Sequence, residues 1–323
     1  MALVEKKTFI RLAPLLDFLE FSEQNRDLVW DRPKFPLMVP LRLAQKMEKN
    51  NPSCPLFLQF VPLKKEMLVE ETYSHEPVND PIFKLSPKLL KKYEGRSLLL
   101  TTKACAMHCR YCFRQNFSYE TTTKGFEKEI ELLQKNLTIH EVILSGGDPL
   151  SLHSKDLLSL MHQLERLEHV QIIRFHTRTL IADPEVLQEE LLNFFQRSSK
   201  KIVFVVHVNH PKELGEDLRA TFQKLKSSNV TLLSQSVLLK GVNDDAQTLK
   251  NLCLELFQYG VLPYYLHQLD RVQGAAHFYV ERERGCSLIE ELRASLPGYL
   301  VPKYVEEIPK KSSKTPIFSL HAI

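Results

Sequence analysis

Six short apolar runs rich in β-branched residues begin near residues 97 (SLLLTT), 141 (EVILSG), 170 (VQIIRFHT), 202 (IVFVVHV), 230 (VTLLSQSVLL) and 262 (LPYYLHQLD), with helical patterns between them. After the first run the spacing settles near thirty residues, which is room for a helix-length crossover. Strands joined by such crossovers are parallel. Right-handed crossovers curl a parallel sheet toward a barrel, and eight units would close it. Six units predict an α/β fold built on a partial (β/α)6 barrel, with chemistry at the C-terminal ends of the strands. Asp183-Pro184 reads as a capping carboxylate before a first-turn proline, and Asn243-Asp244-Asp245 as a second helix start.

The preceding stretch, residues 1–95, lacks this rhythm. Its proline-bounded pieces (DRPKFP, NNPSCP, NDPIF, LSPKL) and amphipathic fragments such as LRLAQKMEK predict a mostly helical lead-in. The expected organisation is therefore a lead-in over 1–95, a barrel over 96–300 and a C-terminal segment over 301–323.

Composition removes several function classes. Lysine and arginine number 43 against 39 acidic residues, and pairs such as Lys64-Lys65 and Lys310-Lys311 are dispersed, so nucleic acid is not the expected partner. The start, MALVEKKTFIRLAP, carries charges where a leader needs an apolar stretch, and no uncharged apolar run approaches the ~20 residues that span a bilayer. The expectation is a cytoplasmic protein without a membrane partner. Cys54, Cys253 and Cys286 are isolated, which suits a reducing compartment and a role as small buried apolar residues.

The other three cysteines, Cys105, Cys109 and Cys112, fall within CAMHCRYC, directly after the first apolar run. Chance placement of six cysteines would give this C-x-x-x-C-x-x-C pattern in roughly one chain in a thousand. Structural zinc sites and fully protein-ligated four-iron clusters take four ligands, so three thiolates imply a cluster with one iron open to a small molecule. Three unrelated buried thiols is the competing reading.

The loop resembles the radical S-adenosylmethionine (SAM) signature, and Tyr111 fits the aromatic residue that precedes its last cysteine. The resemblance implies that Cys105, Cys109 and Cys112 hold a 4Fe-4S cluster whose fourth iron is chelated by SAM. A GG pair alone is more often a tight turn. Beside the cysteine loop, Ser145-Gly146-Gly147-Asp148 resembles the glycine motif that binds the methionyl amino group of SAM. His176-Thr177-Arg178, His207-Val208-Asn209-His210 and Gln235-Ser236 end later strands; each is either a satisfied structural polar group or a contact to a bound molecule, SAM or a second cofactor, with His207 and Gln235 the cofactor-binding candidates.

The likeness extends further. CRYCFRQNF, SGGDPL, SQSVLLKGVNDD, PYYLHQLDRVQGAAHF, GYLVPKYVEEI and SSKTP resemble, in this order and over residues 20–323, the lysine 2,3-aminomutase family, closest to its short branch that makes (R)-β-lysine for modification of elongation factor P. This implies isomerisation of L-α-lysine to β-lysine by a radical 1,2-amino shift, with a cluster, SAM, pyridoxal 5′-phosphate (PLP) and an external electron donor. Of Lys303, Lys310, Lys311 and Lys314, the resemblance assigns the PLP lysine to Lys314, although larger members carry a glycine run where this chain has PKKSS. It assigns the substrate carboxylate to Arg114 and the distal ammonium to Asp270 and Glu307, the last an aspartate in larger members. The chain ends at Ile323, short of the extension with which larger members bind zinc and join subunits, so zinc is not carried over and a homo-oligomer stays open. The alternatives are a radical SAM aminomutase for another amino acid and a non-catalytic iron-sulfur protein; the absent fourth cysteine weighs against the latter.

Overall fold

The computed structural model describes residues 8–119 and 125–318, so residues 1–7, which open the stretch read above for a leader, lie outside the described residues, as do 319–323 of the C-terminal segment. β1 (Thr8–Phe9) and β2 (Val39–Pro40) form a small antiparallel ribbon. The other strands, β3 (Leu89–Tyr93), β4 (Arg96–Thr102), β5 (Glu141–Gly146), β6 (Ile172–Thr177), β7 (Lys201–His207), β8 (Val230–Val237), β9 (Leu262–His267), β10 (Lys303–Glu306) and β11 (Thr315–Pro316), make one sheet in the order β11-β10-β9-β8-β7-β6-β5-β4-β3. Strands β4 to β10 run parallel, and β3 and β11 close the edges antiparallel.

Each strand from β4 to β9 is followed by a helix, in turn Glu127–Lys135, Ser154–Glu165, Glu189–Arg197, Arg219–Ser227, Ala246–Gln258 and Arg282–Ser295. This is the partial (β/α)6 barrel that the sequence predicts. β10 adds a seventh parallel strand that the pattern did not announce, because KYVE is four residues long and charged at both ends. The Asp183-Pro184 reading needs correction. Asp183 follows the short helix Thr179–Ala182 and its Oδ1 accepts from the Glu185 N–H, while the next helix begins six residues later at Glu189 behind Gln188. A carboxylate before a proline serves a turn as readily as a helix start. At Asn243-Asp244-Asp245 the expectation holds: Asp245 caps Ala246–Gln258 by accepting from the Thr248 N–H.

Side-chain alternation along the strands separates two faces. On the outer face, Phe175 of β6 stacks on Phe204 of β7 at 4.6 Å, and both meet Phe195 of the Glu189–Arg197 helix at 5.7 and 5.6 Å. That helix turns Leu191, Leu192, Phe194 and Phe195 inward and starts with Glu189 and Glu190, whose charges suit a helix N-terminus. The inner face carries Arg174 and His176, His207, Gln235 and Val237, then Tyr265 and His267, all half-buried because they line a cavity.

The lead-in contributes the short helices Leu12–Phe18, Glu23–Arg26, Leu41–Ala44 and Pro55–Phe60. Its Leu15, Phe21, Phe57 and Phe60 join the same apolar core as Phe175 and Phe204. Among the described residues no helix is long and apolar enough to cross a membrane.

Candidate active site

The cavity lies at the C-terminal ends of the parallel strands and has a volume of about 1760 Å³ with its open mouth included. Cys105, Cys109, Cys112, Arg114, Ser145, Gly146, Gly147, Asp148, His207, Gln235, Asp270, Glu307 and Lys314 all line it. His176 and Arg178 line it too. His210 turns away, its Nδ1 accepting from the Lys212 N–H, and Asn209 is fully buried behind the wall.

The three cysteines follow β4 on one loop, and all are free thiols. Burial, with the neighbouring thiols, raises Cys105 well above the usual thiol range and pushes Cys112 up to about 11. They therefore sense one another across a shared space. Among the described residues no three His, Cys, Asp or Glu side chains converge tightly enough for a single metal ion. A four-iron cluster asks something different, one thiolate on each of three irons, and three separated thiols facing one cavity fit that demand.

The glycines are fixed by what they touch. Gly146 has φ +114°, and a Cβ there would lie 2.7 Å from the Thr102 carbonyl oxygen; at Gly147 a Cβ would collide with the Ala104 carbonyl. The Gly147 N–H donates to Thr102 O at 2.7 Å and the Asp148 N–H to Ala104 O at 2.8 Å, so this turn is laced to the start of the cysteine loop. Asp148 turns its carboxylate into the protein, where it accepts from the Leu150, Arg178 and Thr179 N–H groups and from the Thr177 hydroxyl. Its contribution is to tie the end of β5 to the end of β6.

Behind the cysteine loop lies a buried polar network that sequence reasoning missed. Arg178 Nη1 donates to Cys109 Sγ at 2.9 Å and to the Tyr111 hydroxyl, while Nη2 donates to Gln59 Oε1 at 2.8 Å and Glu213 Oε2 at 2.6 Å. Asn209 Nδ2 reaches the Tyr111 hydroxyl at 2.7 Å, and Asn209 Oδ1 accepts from the Val237 N–H. Burial opposes the Arg178 charge, yet Cys109, Glu213 and Tyr111 hold its pKa well above the ordinary value. From the lead-in, Glu66 takes Arg110 Nε and Nη2 at 2.8 and 2.5 Å, and both side chains are buried. The one sequence signal was a glutamine inside the otherwise apolar helix PLFLQF.

The remaining wall is charged. Arg114 donates Nε and Nη2 to Asp80 Oδ2 at 3.0 and 2.9 Å and Nη1 to Ser145 Oγ at 3.2 Å. The antiparallel return of β11, which sets Thr315 opposite Glu306, brings Lys314 to Glu307, with Nζ 3.0 Å from Oε2. Glu307 Oε1 also accepts from Lys92 Nζ at 2.8 Å and from the Tyr93 hydroxyl at 2.5 Å. Burial works against ionising Glu307, but Lys314, Lys92 and Tyr93 outweigh it and hold the carboxyl below its usual range. Asp270 is pushed up to about 7, chiefly by burial, with Glu307 adding to the rise and Lys314 and Lys92 opposing it. Lys303, Lys310 and Lys311 are exposed and do not line the cavity. Arg174 Nε and His176 Nε2, both on the cavity wall, are buried without a hydrogen-bond partner.

Comparison with known proteins places this geometry in a family. The Radical SAM superfamily pattern matches residues 99–253. Proteins named L-lysine 2,3-aminomutase are similar over most of their length: that of Haemophilus influenzae is 41% identical over 88% of this chain and 85% of its own, and that of Escherichia coli 42% over 88% and 83%. The chain belongs to the lysine 2,3-aminomutase family of radical SAM proteins. The Clostridium subterminale member is 32% identical over 86% of this chain and 67% of its own. Membership implies a 4Fe-4S cluster and SAM, and the three thiols on one cavity fit that pair.

Proposed function

We propose that this chain is an L-lysine 2,3-aminomutase that moves the amino group of L-α-lysine from C2 to C3, giving β-lysine, and that it uses PLP besides the cluster and SAM. The carrying observation is a single cavity lined both by the cysteine loop and by Lys314, Asp270, Glu307 and Arg114. Relatives bearing the aminomutase name at about 40% identity support the same reading. When bound, cluster and SAM supply a deoxyadenosyl radical, and PLP supplies the π bond through which nitrogen migrates.

The residues divide the work. Cys105, Cys109 and Cys112 hold iron; the Gly146-Gly147 backbone, with Ser145, Asp148 behind it, His207 and Gln235, holds SAM. Burial, then the Arg178 charge, lowers His207 to about 3, so it meets a ligand as a neutral ring. Lys314 holds PLP, and the unpartnered Arg174 Nε and His176 Nε2 supply donors on the same wall. Arg114 takes the substrate carboxylate. Asp80 pins its Nε and Nη2, which fixes the plane of the guanidinium and turns Nη1 toward Ser145. Asp270 receives the distal ammonium. Glu307 shares that task with a second one, because a substrate ammonium competes with Lys314 Nζ for Oε2.

The likeness to the short branch directs the product to β-lysylation of elongation factor P in the cytoplasm. The test is an anaerobic assay of protein reconstituted with iron and sulfide, given SAM, PLP, dithionite and, in separate vessels, L-lysine, L-ornithine or L-arginine. β-Lysine from lysine and unchanged ornithine and arginine are expected. A β-amino acid from arginine with lysine unchanged would transfer the assignment to another substrate.

A further inference from the structure

Arg178 is the cation whose side-chain N–H reaches a cysteine sulfur among the described residues, and it is held there through its backbone, its Nη2 and a ring contact, while its buried Nε has no hydrogen-bond partner. Its backbone N–H is clamped by Asp148 Oδ2 at 2.6 Å, its Nη2 by Gln59 and Glu213, and its guanidinium packs over the Phe60 ring at 4.8 Å. Glu213 is in turn fixed through Oε1 by the Asn209 and His210 N–H groups and Gln59 Nε2. The Arg178 side chain is 7% exposed and that of Glu213 is fully buried. A fork anchored this firmly presents its Nη1 to two neighbours, the Tyr111 hydroxyl and the Cys109 sulfur.

We propose that Arg178 is a positioning residue that sets the reduction potential of the cluster held by Cys105, Cys109 and Cys112, through its Nη1–H···Sγ hydrogen bond to Cys109, with Glu213 as the counter-charge that moderates it. The proposal rests on the radical SAM reading of the cysteine loop. Reduction adds one electron to the cluster, and a cation with an N–H aimed at a ligating sulfur stabilises the more negative, reduced form. Hydrogen bonds to sulfur and net charge are established levers on cluster potential. Arg178 therefore raises the potential and Glu213, 2.6 Å from the same guanidinium, lowers it. The two residues have opposite signs, which a purely structural role for the pair would not produce.

The experiment is an EPR-monitored redox titration of the full chain, reconstituted anaerobically, as unmodified protein and as Arg178→Gln, Arg178→Lys and Glu213→Gln, each with iron and sulfide content and circular dichroism measured. At the potential where the unmodified cluster is half reduced, Arg178→Gln should show a reduced-to-oxidised ratio about tenfold lower, the scale of one hydrogen bond to a charged group. Arg178→Lys should fall between, and Glu213→Gln should shift the ratio upward. Equal potentials in folded, fully loaded Arg178→Gln and unmodified protein would overturn the proposal. Should Arg178→Gln not fold, Glu213→Gln decides: an upward shift supports the proposal, and no shift or a downward one overturns it. An unmodified protein that takes up no four-iron cluster would reject the radical SAM reading itself, and this inference with it.

Discussion

Lys314 Nζ lies 3.0 Å from Glu307 Oε2, because β11 returns antiparallel beside β10 and sets the two side chains opposite each other. Among the four lysines of the C-terminal segment, this pairing brings only Lys314 to the cavity wall. Borohydride reduction of PLP-loaded protein followed by peptide mapping should therefore place the pyridoxyl group on Lys314. Recovery on Lys303, Lys310 or Lys311 would contradict the assignment.

Asp270 gives stability an unusual pH dependence. Its folded pKa is raised, to about 7, while an unfolded aspartate titrates near 4. Between those values the folded state binds the extra proton, so stability is greater at the low end and falls as pH rises through the window. Asp270→Asn removes the titration. In urea melts the variant should gain on the unmodified protein between pH 5 and 8, by up to about 3 kcal/mol and less where the open cavity screens the charge. A gap independent of pH would show that Asp270 is ionised throughout.

Gly147→Ala should lower bound iron, since its Cβ would displace the Ala104 carbonyl and with it the start of the cysteine loop. Gly298→Ala is the control, with no atom within 4 Å of a Cβ there. After identical reconstitution the control should load fully. Equal iron in both variants would mean that the loop tolerates the shift.

Glu66→Gln leaves the Arg110 guanidinium buried beside a neutral group. Breaking one side of a buried ion pair typically costs about 3–5 kcal/mol, which a denaturant melt would register. A loss below about 1 kcal/mol would place the pair among those that solvent screens.

The barrel was legible because parallel strands covered by helices are written as apolar runs at crossover spacing, and five of those strands present their inner residues at C-terminal ends where the motifs fall. β10 was not, because four residues in a charged context carry no period. Asp183 was misread because Asp-Pro marks turns and helix starts alike. In the site, Cys105, Cys109, Cys112 and Lys314 stand in short motifs whose chemistry is local. Gln59, Asp80 and Glu213 do not: their partners Arg178 and Arg114 lie 119, 34 and 35 residues away, and only the fold closes those distances. For the glycine pair the sequence offers a turn or a ligand-binding motif, and only the fold shows that its Cβ positions face the backbone of residues 102–104.

The most direct test of the aminomutase account follows the hydrogen as well as the nitrogen. L-lysine deuterated at C3 is incubated anaerobically with the reconstituted protein, SAM, PLP and dithionite, and the product is examined by mass spectrometry and NMR. The account predicts β-lysine carrying deuterium at C2, because the hydrogen removed from C3 is returned to the carbon that loses nitrogen. Cleavage of SAM with unaltered lysine, or β-lysine with no deuterium at C2, would contradict it.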